Sequence, residues 1–404
     1  MKPFPKFFPI AALSLLATTQ TMCVNAQAPL KIDSAFPGGN IKVVKIEGDT
    51  AHLAPDLRTT STDWFYWYYR VTDAGGRKLN FAFEKRHMGV RGPAVSLDQG
   101  KSWKWLGKDS APEGTFSYTV PAEAKDVRFS VGMPYLRSNF DQFLDAHKNK
   151  PYMAVKPLTK TSKGRDVVMV DVGDKKKTAP YAVVVTARHH ACEMMASYFQ
   201  EGLLAEWISD DALGRELRAR ADILFIPFVD TDGVEDGDQG KNRRPHDHNR
   251  DYADTPIYPE VAAIKQLVPQ WSAGRPLIFI DLHDPALKTD VHETIHFMEP
   301  GEQDQAVRTQ RLSDLLERNY QGPIGYSSNS IMRFGKGYNT KSGKYSHASG
   351  WARTVPNTIL GLSIEIPYAN AGGYEVNTES ARELGRDFAI AMKDFLGEKP
   401  EEIK

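Results

Sequence analysis

Cysteine is nearly absent from this chain: 404 residues contain two, Cys23 and Cys192. That scarcity excludes a disulfide-stapled scaffold, so the fold must rest on its buried core. Net charge is absent too. Fifty-one Lys and Arg balance fifty-one Asp and Glu, so no overall field draws the protein to nucleic acid or to an anionic membrane. No internal repeat or low-complexity tract interrupts the pattern. Hydrophobic residues make up 41% and charged residues 25%, ordinary values for a globular chain long enough for two domains.

The amino terminus departs from that average. Lys2 and Lys6 precede the apolar stretch Phe7 to Ala17, and Val24-Asn-Ala26-Gln-Ala28 follows with the small residues that suit signal peptidase. The pattern predicts an export signal over residues 1–28, cleaved after Ala26 or Ala28, and hence a periplasmic or secreted protein. The stretch is short for a bilayer span, and no integral membrane segment is expected after cleavage. Met22 before Cys23 lacks the small side chain that lipidation requires. Cleavage would leave Cys192 as the mature chain's single cysteine.

Two kinds of texture follow. Residues 29–148 hold short aromatic, β-favouring segments separated by Gly, Pro and Asp: Trp64-Phe-Tyr-Trp-Tyr-Tyr-Arg70, Leu79 to Phe83, Trp103 to Trp105, Phe116 to Val120 and Val127 to Val131. These predict a small antiparallel β-sandwich, whose rings serve a core in preference to a carbohydrate platform. Residues 149–398 alternate strand and helix patterns and predict an α/β domain with a mixed, mostly parallel sheet flanked by helices. Strands are expected at 166–171, 181–187, 221–229, 276–282, 293–298 and 358–366. Helices are expected at 193–208, 211–219, 258–269, 303–318 and 377–396.

Chemistry is expected where such strands end. His190 and Glu193 straddle the junction after the valine-rich run Tyr181 to Ala187. An imidazole and a carboxylate at i and i+3 there can converge on one ion. A second His-x-x-Glu, His296 to Glu299, lies in a strand, where i and i+3 point to opposite faces, and is expected to be structural. His283 ends Pro276-Leu-Ile-Phe-Ile-Asp-Leu-His283 and is placed to be a third ligand, with Asp281 or Asp284 to accept its other ring N–H. The polar loop from Val234 to Tyr252 concentrates Arg243, Arg244 and Arg250, with Asn249 beside the last. A guanidinium fork suits a carboxylate. Glu365 stands alone in the apolar strand Leu362-Ser-Ile-Glu-Ile-Pro-Tyr368, a costly place for a carboxylate without a partner or a use. Near a metal-bound water it could act as general base.

Taken in order, His190-x-x-Glu193, Asn249-Arg250, His283 and Glu365 resemble the site residues of the zinc metallocarboxypeptidases of the carboxypeptidase A superfamily, across about residues 150–396. Trp64 to Arg70, Trp103 and Met133-Pro-Tyr135 resemble, more loosely, the β-sandwich that precedes the catalytic domain in the cytosolic-carboxypeptidase branch. The resemblance implies one Zn2+ per chain on His190, Glu193 and His283, and a peptide substrate whose free terminal carboxylate meets Asn249 and Arg250. It implies Glu365 as the base that activates water, Arg243 or else Arg244 at the oxyanion, and Tyr345 or else Tyr338 as a mobile capping tyrosine. Two departures stand out: Asp230-Thr-Asp-Gly233 replaces Asn-Pro-Asp-Gly, and Ala191-Cys192 fills the metal motif, with Cys192 expected to pack. Two other readings stay open. One is a zinc amidase acting on peptidoglycan stem peptides or N-acyl amino acids; the other is a catalytically inactive binding protein.

Overall fold

A computed structural model of the chain describes residues 1–4, 29–85, 87–174, 177–253, 255–287, 292–340 and 347–398. Most of the expected export segment, residues 5–28, and the expected capping residue Tyr345 lie outside the described residues.

The amino-terminal region forms two sheets. One has the order β1 (Lys31–Asp33), β4 (Tyr68–Thr72), β9 (Asp126–Ser130), β6 (Ala94–Ser96), β7 (Lys104–Trp105). The other runs β2 (Lys42–Glu47), β3 (Thr50–Ala54), β5 (Lys78–Phe83), β8 (Thr115–Thr119). Pairing is antiparallel except between β3 and β5, which run parallel with Ala51 beside Phe81. Alternation along the strands sends Tyr69, Phe81 and Phe129 inward between the sheets. Phe81 of one sheet packs on Tyr69 and Phe129 of the other, at ring-centroid distances of 5.6 and 5.0 Å. Trp67, Tyr69 and Phe129 are fully buried, so the aromatic density is core packing.

Helix α1 (Arg137–Ala146) leads to a seven-stranded sheet of order β10 (Met153–Lys160), β11 (Asp166–Val172), β13 (Ala221–Ile226), β12 (Tyr181–Ala187), β14 (Leu277–His283), β16 (Thr358–Glu365), β15 (His296–Met298). The centre, β13-β12-β14-β16, is parallel, and the pairings outside it are antiparallel. Helices cover both faces, which explains why β12 and β14 are apolar without alternation. Val183, Val185, Ile278 and Ile280 face the core that holds Phe199 of α2 (Met195–Trp207) and Phe388 of α8 (Thr378–Phe395). Ala182, Val184 and Phe279 face Val261, Ile264 and Val268 of α5 (Pro259–Ser272) and Trp351 of α7 (Ala348–Ala352). Helices α3 (Ala212–Arg220), α4 (Thr231–Asp236) and α6 (Gln303–Asn319) complete the described set. α2 and α8 cross at glycines: a Cβ on Gly202 would lie 2.0 Å from Arg382 O, and one on Gly385 2.1 Å from Phe199 O. The parallel register sets His283 directly beside Glu365. Sequence positions far apart thus share one sheet edge.

Candidate active site

β12 ends at Ala187, and Arg188 then turns the chain through a left-handed backbone conformation, φ 61°. A non-glycine residue is strained in that conformation unless its side chain is held. Here the buried guanidinium bonds Tyr135 O at 2.8 Å, Ser197 Oγ at 3.0 Å and Ala191 O at 3.1 Å. The turn projects His190 and Glu193 toward the end of β14. Glu193 Oε1 lies 2.8 Å from His190 Nδ1, and its Oε2 lies 2.7 Å from His283 Nδ1. All three side chains are buried. Their ligating atoms fall within 4.8 Å of one another.

A carboxylate lies on the far side of each imidazole. Asp281 Oδ2 lies 2.7 Å from His283 Nε2, while its Oδ1 meets His189 Nδ1 at 2.8 Å and accepts from Thr186 Oγ1 at 2.7 Å. Burial would push the Asp281 carboxyl up, but His189 and His283 outweigh it and hold the group well below the usual carboxylate range. Asp284 serves the helix instead, accepting the backbone N–H groups of Met195 and Ala196 at 2.7 Å each and so capping α2. Of the two candidates for holding His283, the geometry selects Asp281. Behind His190, Asp247 Oδ1 lies 3.5 Å from Nε2. Burial would raise Asp247 as well, and His190, Lys241 and Arg250 keep it well below its ordinary range. Two imidazole Nδ1 atoms facing one carboxylate, with Asp281 holding the far nitrogen of His283, form a donor set that suits zinc.

The cluster opens into a cavity of about 720 Å³ lined by His190, Lys241, Asn249, Arg250, His283, Tyr338, Ser349, Arg353 and Glu365, among others. Glu365 Oε2 is buried and has no hydrogen-bond partner. Burial, reinforced by Glu193, pushes its carboxyl up against the pull of His283 and Lys241. Asn249 is fixed by accepting Ala348 N–H at 2.9 Å, and its Nδ2 lies 3.1 Å from His283 Nε2, the nitrogen that faces Asp281. Arg250 is exposed and reaches the cavity. Farther along the wall, the Ser349 and Ser363 hydroxyls lie 2.8 Å apart and Arg353 pairs with Glu302 at 3.1 Å.

Several expectations change. Arg243 is not brought to the cavity: its guanidinium is held by Asp230 at 2.8 Å and Asp238 at 2.9 Å. Two carboxylates close by in the chain claim it before a substrate can. Arg244, the other candidate, is exposed and does not line the cavity. Lys241, from the charged loop before them, lines the cavity instead. Tyr338 lines the cavity, stacked on His292 with centroids 5.5 Å apart. Cys192 is fully buried, and Trp64 Nε1–H donates to its Sγ at 3.4 Å. Burial pushes the thiol up to about 12, so it packs as a neutral side chain. In the second His-x-x-Glu, His296 meets Ser330 O while Glu299 accepts from Arg333 at 2.6 Å, so the two go to separate partners.

Comparison with known proteins gives these features a family context. Residues 140–284 match the family model described as zinc carboxypeptidase. Cytosolic carboxypeptidase 6 of Caenorhabditis elegans is 24% identical over 291 residues, 64% of this chain and 63% of that protein. Cytosolic carboxypeptidase 3 of Mus musculus is 25% identical over 304 residues, 66% of this chain and 30% of its own length. The chain thus spans less than two thirds of these relatives. A metallo-carboxypeptidase from Burkholderia cenocepacia superposes with a TM-score of 0.72 at 22% identity, covering 91% of this chain and 99% of that one. One from Pseudomonas aeruginosa, solved with (2-guanidinoethylmercapto)succinic acid, gives 0.72 at 21% identity, covering 91% and 100%. At these identities the likeness establishes the fold.

Proposed function

Because the chain carries a zinc carboxypeptidase domain and is homologous to the cytosolic carboxypeptidases, we propose that it hydrolyses the last peptide bond of a peptide with a free terminal carboxylate. The observation that carries this reading is one cavity joining a His/Glu/His donor set, the Glu365 carboxylate with its buried Oε2 left without a hydrogen-bond partner, and an exposed arginine beside a fixed asparagine. His190, Glu193 and His283 would hold zinc, which would supply Lewis acidity toward water and the carbonyl oxygen. Glu365 takes a proton from the attacking water and returns it to the departing amine. Arg250 binds the terminal carboxylate as a fork, and Asn249 Nδ2 adds a donor beside it. Tyr338 stands over the same cavity and closes on bound peptide.

The intact Glu365 disfavours an inactive binding protein. We also place the protein outside the cytoplasm, on the charged, apolar and small-residue pattern of residues 2–28. Among the described residues no helix is long and apolar enough to cross a membrane.

Mass spectrometry of peptides before and after incubation tests the reading. Loss of one residue from free-acid peptides, but not from their amides, and only without chelator, is expected. Cleavage confined to peptidoglycan stem peptides or N-acyl amino acids would replace this reading with the amidase one.

A further inference from the structure

Arg243 is spoken for, which leaves open which group meets the carbonyl oxygen when water adds. Among the described cavity-lining residues, Lys241, Arg250 and Arg353 are the Lys and Arg side chains. Arg353 is paired with Glu302 and donates to Gly361 O at 3.1 Å. Arg250 is placed for the terminal carboxylate. Lys241 Nζ lies 3.3 Å from His190 Nδ1 and 3.5 Å from Glu193 Oε1, beside the donor set where the scissile carbonyl must approach. We propose that Lys241 is a catalytic residue of this chain, stabilising the oxyanion, and that the amino-terminal sheets position it. The proposal rests on the carboxypeptidase reading.

The reaction places a charge within its reach. Water oxygen bonds the carbonyl carbon as Glu365 takes the water's proton, and the C=O π pair moves onto the carbonyl oxygen, which becomes an oxyanion. On collapse the C=O bond re-forms and the C–N bond breaks, the amine leaving with the proton from Glu365. A fixed ammonium at that oxygen favours the charged state over the neutral carbonyl, and in a site closed to water that preference is large.

What fixes the lysine comes from the other end of the chain. Tyr66 N–H donates to Gln239 Oε1 at 2.7 Å, and Gln239 Nε2 returns to Tyr66 O at 2.8 Å. Thr60 Oγ1 donates to Lys241 O at 2.9 Å, Ser61 N–H donates to Asn242 O at 3.0 Å, and Asn242 Nδ2 donates to Thr62 Oγ1 at 2.9 Å. The Trp64 ring lies 5.9 Å from Lys241 Nζ, a cation–π distance. On the inner side the loop is pressed onto the metal motif: Cys192 N–H donates to Gln239 O at 3.2 Å, and a Cβ on Gly240, φ 76°, would fall 2.1 Å from Ala191 N. Trp64 thus touches both Lys241 and the Cys192 that sits between two metal donors. The amino-terminal region forms one wall of the machinery.

Lys241→Met, with Lys241→Gln as a second variant, tests the catalytic role on the zinc-loaded full chain. Expected are one zinc per chain, kcat lower by about 10²–10³-fold, KM changed by less than about threefold, and partial recovery in Lys241→Arg. Affinity for a phosphinic peptide, a tetrahedral analogue, should fall in parallel with kcat, while affinity for the product peptide should hold. Zinc-replete variants with kcat within about threefold of wild type would overturn the proposal, as would variants that lose zinc, since Lys241 would then serve the cradle. Wild-type turnover is the control: its absence on every free-acid peptide defeats the underlying reading instead. For positioning, Trp64→Leu should lower kcat about tenfold with Lys241 present and hardly at all in Lys241→Met. Equal losses in both backgrounds would refute the positioning role.

Discussion

The two halves of the molecule bury different things. Among the described residues from 31 to 130, no Asp, Glu, Lys, Arg or His is fully buried, and the core is filled by rings such as Trp67, Tyr69 and Phe129. In the parallel-sheet half, His190, Glu193, Asp247, Asp281, His283 and Asp284 are all buried, and they gather at the ends of β12 and β14 and on the loops nearby. Removing charge from water is costly unless each group is paired or used. A fold that gathers so many of these groups at one sheet edge marks the edge as the place of chemistry. The contrast breaks down at residues 237–243, where the aromatic half grips the loop of the ionic half.

The contrast is broken most severely by Glu365→Gln. It should keep zinc binding and lower kcat by about 10³–10⁴-fold, read by turnover beside metal analysis; substantial hydrolysis would remove Glu365 as the base. Arg250→Ala comes next. Loss of a charge-assisted fork should lower kcat/KM on free-acid peptides by about 50-fold. Comparing these with amidated peptides checks it, because equal losses on both would deny carboxylate recognition. In the aromatic half, Phe129→Ala should destabilise the protein by about 3–5 kcal/mol in a denaturant titration, while the folded fraction keeps its zinc. Zinc loss from the folded protein would show that the halves are less separate than their cores.

The smallest effect concerns Glu260, buried at the start of α5 with Oε2 3.8 Å from His248 Nε2. Burial pushes its carboxyl up to about 7 from 4.5. Between those values the native protein keeps the proton while the unfolded chain loses it, so this group's contribution to stability falls as pH rises through that window. Glu260→Gln should therefore be the more stable protein at pH 8, on the order of 1–3 kcal/mol. Chemical denaturation at pH 5 and pH 8 reads the difference, and an unchanged one would mean that Glu260 is ionised in the native state.

Much of this was legible beforehand, and the exceptions have physical causes. The valine run of β12, buried on both faces, announces itself by composition, and His190, Glu193, His283 and Glu365 follow because they interrupt or end apolar strands. Cys192 reads correctly as packing. β10 goes unread because Met153–Lys160 is an edge strand with no fully buried residue, so no apolar alternation marks it. α1 was within reach: Phe140, Phe143 and Leu144 share one helical face. Arg243 and Lys241 were not. In a loop with charges of both signs, only the fold decides that Asp230 and Asp238 take the arginine and leave the lysine facing the metal donors.

The central claim is that hydrolysis depends on a single metal at His190, Glu193 and His283. Metal-free protein titrated with zinc, with peptide turnover followed at each addition, tests it most directly. Activity should rise from none and level off at one ion per chain, and His283→Ala should abolish the rise. Full turnover in the metal-free protein, or an undiminished rise in His283→Ala, would contradict it.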